Sequence, residues 1–200
     1  FDSYFDGGNK SSDAGSNFRL RKHNDAFKVD VDDAIAVGDP VVFENALEID
    51  KYGHVTMPLQ SAFLSRPSGT LANVTGDGTD YSCNFGDEVY DQNNDKSVTT
   101  YTCPVSCKVV FNAGIQCTVT KADTKIQVAT SNHSYTVVHV DTGPLDYSGS
   151  GNWVLSGSVT CDMDAADTAI LKLKMGPTTK NASIVDDGDG GSYFSGTIIC

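Results

Sequence analysis

The residues able to do chemistry in this chain are few and scattered. Its four histidines, His23, His54, His133 and His139, fall in different predicted strands and turns. None stands in a G-x-S-x-G, H-E-x-x-H or related spacing that would join it to a nucleophile or a metal. The 26 acidic residues make paired carboxylates inevitable. Depolymerases of the tailspike kind, which use carboxylate pairs on β scaffolds, usually need long β-helical domains, and no segment here is long enough for one. The glycine-rich run TGDGT at 75–79 precedes a predicted strand rather than a helix, so it lacks the helix dipole that holds phosphate. The expectation is a protein that is not an enzyme and carries no organic cofactor.

Metal and thiol chemistry leave more open. Three aspartate clusters have the density for calcium, which needs several oxygen ligands: Asp87, Asp91 and Asp95; Asp162, Asp164 and Asp167; and Asp186, Asp187 and Asp189. None has the sixth-position glycine and final glutamate of an EF-hand loop. In DMDAADT the alternative is that Asp162, Asp164 and Asp167 cap a tight turn. Six cysteines occur, Cys83, Cys103, Cys107, Cys117, Cys161 and Cys200, an even number that permits bridges without revealing their connectivity. Several lie in apolar strand-like settings, where a thiol acts as a small hydrophobe. Cys103 and Cys107 form C-P-V-S-C, but no histidine pair or second close cysteine pair completes a zinc set.

The elements that must position these residues are short β-strands. Residues 1–17 are rich in Asp, Ser, Gly and Asn and read as a linker or arm. Residues 18–57 carry brief alternating runs (Phe18 and Leu20; Phe27, Val29 and Val31; Ile35 and Val37; Val41 and Phe43; Leu47 and Ile49; Val55 and Met57), a period of two each time. Strands of a few residues are marginal alone. They suit a β-rich shaft or neck shared among copies, with a turn at Tyr52-Gly53, or else a hairpin laid on the larger domain. Residues 58–200 hold strand-like runs about ten residues apart, including Lys108–Ala113, Ile115–Lys121 and Trp153–Cys161, divided by Gly, Asp, Asn, Ser and Pro clusters. Ala165–Met175 alternates as a strand with its polar side to water. Many short strands at even spacing indicate an all-β sandwich or jelly roll.

Several segments of 58–200 carry a likeness. PLQSAFLS (58–65) resembles a first strand; LANVTGDGTDYSCNF (71–85) with EVYDQNND (88–95) resembles a second strand and its loop. TTYTCPVSCKVVFNAGIQ (99–116) resembles a Thr-x-x-Ala-Pro-x-x-Gly-x-Tyr-x-Phe segment. LSGSVTCDMDAADTAILKL (155–173) and GGSYFSGTIIC (190–200) resemble the last internal pair and the closing strand. Together and in order they resemble the head domain of the complement one-q and tumour necrosis factor family, in the version found at the tips of viral and bacteriophage fibres. The chain departs from that pattern at Cys103 (usually Ala), Cys107 (usually Gly) and Val109 (often aromatic). The resemblance implies a jelly roll of about ten strands assembled as a trimer. Phe63, Tyr81, Phe85, Tyr101, Phe111, Tyr193 and Phe194 would then divide between protomer core and subunit contact.

Charge narrows the partners. The net charge is −12, which repels phosphate and argues against nucleic acid. No apolar run reaches the roughly 20 residues of a membrane span. The opening lacks the marks of a signal peptide and begins without methionine, from which an upstream portion is expected. The sequence reading is a structural virion protein on the particle exterior, extracellular in exposure. It would be a homotrimeric tail or head fibre that binds a host receptor or glycan and joins other virion proteins through its N-terminal part. Polar and aromatic loop residues are the candidate contacts: Asn132, His133 and Tyr135 in one loop, Asp146, Tyr147, Asn152 and Trp153 in the next. A core position is the alternative for Trp153. The rival functions are a capsid-decorating cement trimer and a secreted complement-like or cytokine-like ligand.

Overall fold

A computed structural model of the chain describes residues 3–5, 8–11, 14–119, 123–141, 152–186, 188 and 190–199. The chain divides into two units, residues 1–60 and 61–200. Among the described residues, no helix is long and apolar enough to cross a membrane.

In the first unit, strands β1 (Ser3–Phe5) and β2 (Asn9–Ser11) pair with each other, within the stretch expected to be an irregular arm. Strands β3 (Gly15–His23), β4 (Ala26–Ile35), β5 (Glu44–Ile49) and β6 (Val55–Thr56) form an antiparallel sheet in that order. Two of these strands are longer than the brief alternating runs suggested, because polar residues such as Arg19 and Asp30 continue the ladder between apolar ones. Period-two alternation divides the sheet into two faces. Cross-strand pairs Phe18–Val31, Leu20–Val29 and Val29–Leu47, with Phe27–Ile49 and Ile49–Val55, make one face largely apolar, with Lys22 opposite Phe27 and Glu44 opposite Val31 at its margins. The other carries Asn17, Arg19, Arg21, Lys28, Asp30, Asn45 and Glu48. The turn at Tyr52-Gly53 forms as expected: Asp50 Oδ1 accepts from the N–H groups of Tyr52 and His54, and Gly53 adopts φ +84°.

The second unit is two packed antiparallel sheets. The first runs β10 (Asp87–Asp91), β7 (Ala62–Arg66), β18 (Tyr193–Ile198), β12 (Cys107–Cys117), then β17 (Ala182–Ile184) and β8 (Leu71–Thr75); β15 (Trp153–Met163) pairs with the whole length of β12. The second runs β11 (Thr100–Thr102), β16 (Thr168–Gly176), β13 (Asp123–Thr130) and β14 (Ser134–Asp141), with β9 (Asp80–Ser82) also on β16. β12 is one strand where the sequence suggested two. Gly114 is no turn: a side chain there would collide with the ring of Tyr193, so the glycine makes room on the sheet.

Facing residues fill the space between the sheets. β16 alternates strictly, with Ala169, Leu171, Leu173 and Met175 buried, as its sequence indicated. Phe63, Tyr101, Phe111 and Phe194 form a cluster with ring centroids 5.2–5.6 Å apart in four contacts. Geometries of this kind add roughly 0.5–1.5 kcal/mol per pair beyond area burial. With Phe85 they are five of the seven aromatics named above, and all five are 1% exposed or less. They belong to the protomer core and are unavailable for subunit contact, whereas Tyr81 and Tyr193 are only partly buried. Lys96 is also buried; its ammonium donates to the carbonyl oxygens of Phe85, Ser97 and Val98 at 2.8, 2.8 and 3.3 Å. Burial pushes its pKa down.

Candidate attachment site

The register of β12 and β15 fixes which loops of the second unit share an end. Cys107 lies opposite Met163 and Cys117 opposite Trp153, so the β15–β16 turn and Trp153 stand at opposite ends of an 11-residue strand, about 30 Å apart at strand rise. The β13–β14 turn, residues 131–133, lies at the β15–β16 end, since Thr130 pairs with Ala169. The two candidate loops of the sequence analysis are therefore not one surface. Asn132 and His133 belong to one end. Trp153 and Asn152 belong to the other; both are exposed, Trp153 at 36%, so a core position for Trp153 does not hold. Asp146 and Tyr147 lie outside the described residues. Tyr135 sits within β14 rather than in the loop, because strand pairing resumes at Ser134.

At the first end, Asp167 ties the loops together. One carboxylate oxygen accepts from the Ser131 hydroxyl at 2.6 Å; the other accepts from Asn132 Nδ2 at 2.7 Å and from the Asp164 N–H at 2.9 Å. The Ser131 hydroxyl, chiefly, and then the Asp164 N–H hold the Asp167 carboxyl below its ordinary pKa, with Asn132 adding to them. The turn between β13 and β14 closes on itself, with the His133 N–H donating to Thr130 Oγ1 at 2.9 Å and the Thr130 N–H to the His133 carbonyl at 2.7 Å. His133 and Tyr135 then meet edge to face at 4.9 Å between centroids. The result is a fixed polar–aromatic patch on a rigid scaffold, the usual place for recognition.

The same geometry bears on calcium. Asp162 pairs with Lys108 at 3.4 Å while Asp167 serves the turn, and no group of three metal-ligating side chains comes together among the described residues. Asp187 and Asp189 of the third cluster lie outside them. Asn132 and Asp167, which the sequence suggested for different roles, are bonded to each other; an Asn and an Asp 35 positions apart carry no sequence signal of that pairing. His54 and His139 each hydrogen-bond an aspartate, Asp50 at 2.9 Å and Asp123 at 3.0 Å, in exposed contacts. A groove of about 370 Å³ lies at the same end, lined by Ser106, Cys107, Lys108, Asp162, Met163 and Asp164.

Comparison with known proteins places the fold. No protein-family profile matches the sequence, and no curated protein matches it either. Solved structures do match. The Eiger tumour necrosis factor of S. frugiperda has a TM-score of 0.50 at 8% identity, covering 70% of this chain and 91% of its own. The globular domain of zebrafish complement 1qA has 0.48 at 17% identity, covering 70% of this chain and 98% of its own. PRD1 vertex protein P5 has 0.41 at 13% identity, covering 70% and 96%. At such identities the likeness speaks for fold alone. The chain carries an all-β jelly-roll fold similar to that of tumour necrosis factor proteins.

Proposed function

We propose that this protein is a structural virion component, a trimeric tail or head fibre whose jelly-roll head attaches the particle to a host-cell surface. One observation carries the reading: the first unit is built inside out. Its polar face is the covered one. Asp30 is fully buried, and one carboxylate oxygen takes Arg19 at 2.7 and 3.0 Å and Arg21 at 2.5 Å. Burial alone would raise the Asp30 pKa; hydrogen bonds from Arg21 and then Arg19 outweigh it and hold the carboxyl below its ordinary value. Phe43 lies 4.1 Å from the Arg19 guanidinium, and Ser11 of β2 accepts from buried Asn17 at 3.0 Å. The apolar face is left open instead: Phe18 is 57% exposed, Leu20 59% and Phe27 46%.

A large exposed apolar sheet face marks a surface that a partner covers. Copies of the same chain around a threefold axis would bury Phe18, Leu20 and Val55 against their equivalents, as a fibre shaft does. The head would then present the Asn132–His133–Tyr135 patch three times, and three weak contacts per head reach high avidity. The test is binding of the intact protein to a panel of glycans and host cells, with His133→Ala beside it. Binding that weakens in the variant supports attachment. No binding to cells or sugars, together with decoration of capsid lattice points in electron micrographs, replaces it with the cement role.

A further inference from the structure

Cys103 and Cys107 flank the turn that leads from β11 into β12, and their sulfurs are 3.4 Å apart. The backbone around them is fixed from both sides. The Cys103 N–H donates to the Asp167 carbonyl at 2.8 Å, and the Cys103 carbonyl accepts from the Ala166 N–H at 2.8 Å. Ser106 Oγ accepts from the Ala165 N–H at 3.2 Å, and Cys107 is held opposite Met163 in the β12–β15 ladder. A disulfide needs the sulfurs at about 2.05 Å, so closure asks for little more than side-chain rotation within a turn the fold has already closed.

The setting of Cys107 differs from that of the other described cysteines, its neighbour Cys103 included. Cys83, Cys117 and Cys161 are buried, and burial pushes the Cys117 thiol up to about 12 and the Cys161 thiol up to about 11; such thiols are poor nucleophiles. Cys107 is only partly buried and lines the 370 Å³ groove beside Lys108. A small molecule in the groove would lie against Cys107, while Cys103 is buried behind it at 3.4 Å between sulfurs.

We propose that Cys103 and Cys107 are a thiol–disulfide exchange site for a small disulfide such as oxidised glutathione. The Cys107 thiolate attacks one sulfur of that disulfide and displaces one thiolate, leaving a mixed disulfide on Cys107. The Cys103 sulfur, losing its proton, attacks Cys107 Sγ and displaces the second thiolate. The two cysteines give up two electrons and two protons; the small disulfide takes both and leaves as two thiols. The closed bond staples the turn that anchors residues 164–167, at the end of the head bearing His133. It would be open in a reducing cytoplasm and closed outside the cell.

The test uses the whole chain, reduced, then treated with oxidised glutathione, acid-quenched, alkylated and digested with trypsin. Cleavage after Lys96 and Lys108 yields one peptide, residues 97–108, that contains both cysteines. The expected result is conversion of most of that peptide from a doubly alkylated form to an unalkylated one, two hydrogens lighter than the reduced unmodified peptide, while Cys117 and Cys161 stay alkylated. In Cys107→Ser, Cys103 should remain alkylatable and free of glutathione. Three results overturn the proposal: a wild-type peptide that stays doubly alkylated, one that stops at a glutathione adduct, or either cysteine bridged to a different partner.

Discussion

Leu20→Asp separates a sheet face that copies cover from one that merely faces water. Leu20 is 59% exposed and sits on the apolar face opposite Val29. Full burial of a leucine side chain is worth about 1.5–3 kcal/mol, so covering its exposed part contributes about 1–1.5 kcal/mol per protomer and about 3–5 kcal/mol per trimer. Aspartate forfeits that and also brings three carboxylates into an apolar seam without partners, a further cost of several kcal/mol. At about 1.4 kcal/mol per factor of ten, association should weaken by about a thousandfold or more. In an isolated sheet the same exposed substitution should cost within about 1 kcal/mol. Sedimentation velocity over a concentration series reads the association and thermal melting reads the stability, with Leu20→Met as the variant that keeps the contact. If Leu20→Asp sediments as wild type at every concentration and melts at the same temperature, the face is not an interface and the inside-out argument fails.

Other outcomes follow from the same geometry. Phe111→Ala removes a fully buried ring that contacts Phe63, Tyr101 and Phe194; thermal unfolding should show a loss of about 3–5 kcal/mol, roughly 10 °C or more in Tm. Because the folded Asp30 pKa lies below the ordinary aspartate value, its contribution to stability is present above that value and lost as pH falls through the lowered one. Acid titration of stability should show this loss below about pH 4, and Asp30→Asn, less stable at neutral pH, should lack that component. Chelation with EDTA should leave Tm unchanged if Asp167 serves only the turn, while Asp167→Ala, which strips the acceptor from Ser131, Asn132 and the Asp164 N–H, should lower Tm by a small but measurable amount; a large drop with EDTA alone would instead assign the carboxylates to calcium.

Much of the fold was legible because strand periodicity survives in single residues. The alternation Ala169, Leu171, Leu173, Met175 gave β16 its strand and its inward face, and the DKYG turn was readable from Asp50 and Gly53 together. Gly114 misled, since a glycine inside a strand looks like a break unless the ring it accommodates, Tyr193, is known; that contact spans 79 positions. The division of the aromatics was equally hidden, because alternation tells which residues share a face and not which face meets the second sheet. For the candidate site, residue types pointed to His133 and Asn132, yet only strand register revealed that Trp153 stands at the far end. The Asp167 tie was invisible for the same reason, being a tertiary contact between two turns. The first unit's polarity could not be read from its sequence either: alternation makes two faces, and which of them the chain itself covers is decided by tertiary partners such as Phe43 and Ser11 on the Asp30 side.

The central claim is that the open apolar face is covered by two further copies of the chain. Native mass spectrometry of the intact protein at micromolar concentration tests it directly. The account predicts a dominant species of three times the 21.2 kDa protomer, reduced to protomer by Leu20→Asp. A dominant protomer in the wild type, or a dimer, would contradict it.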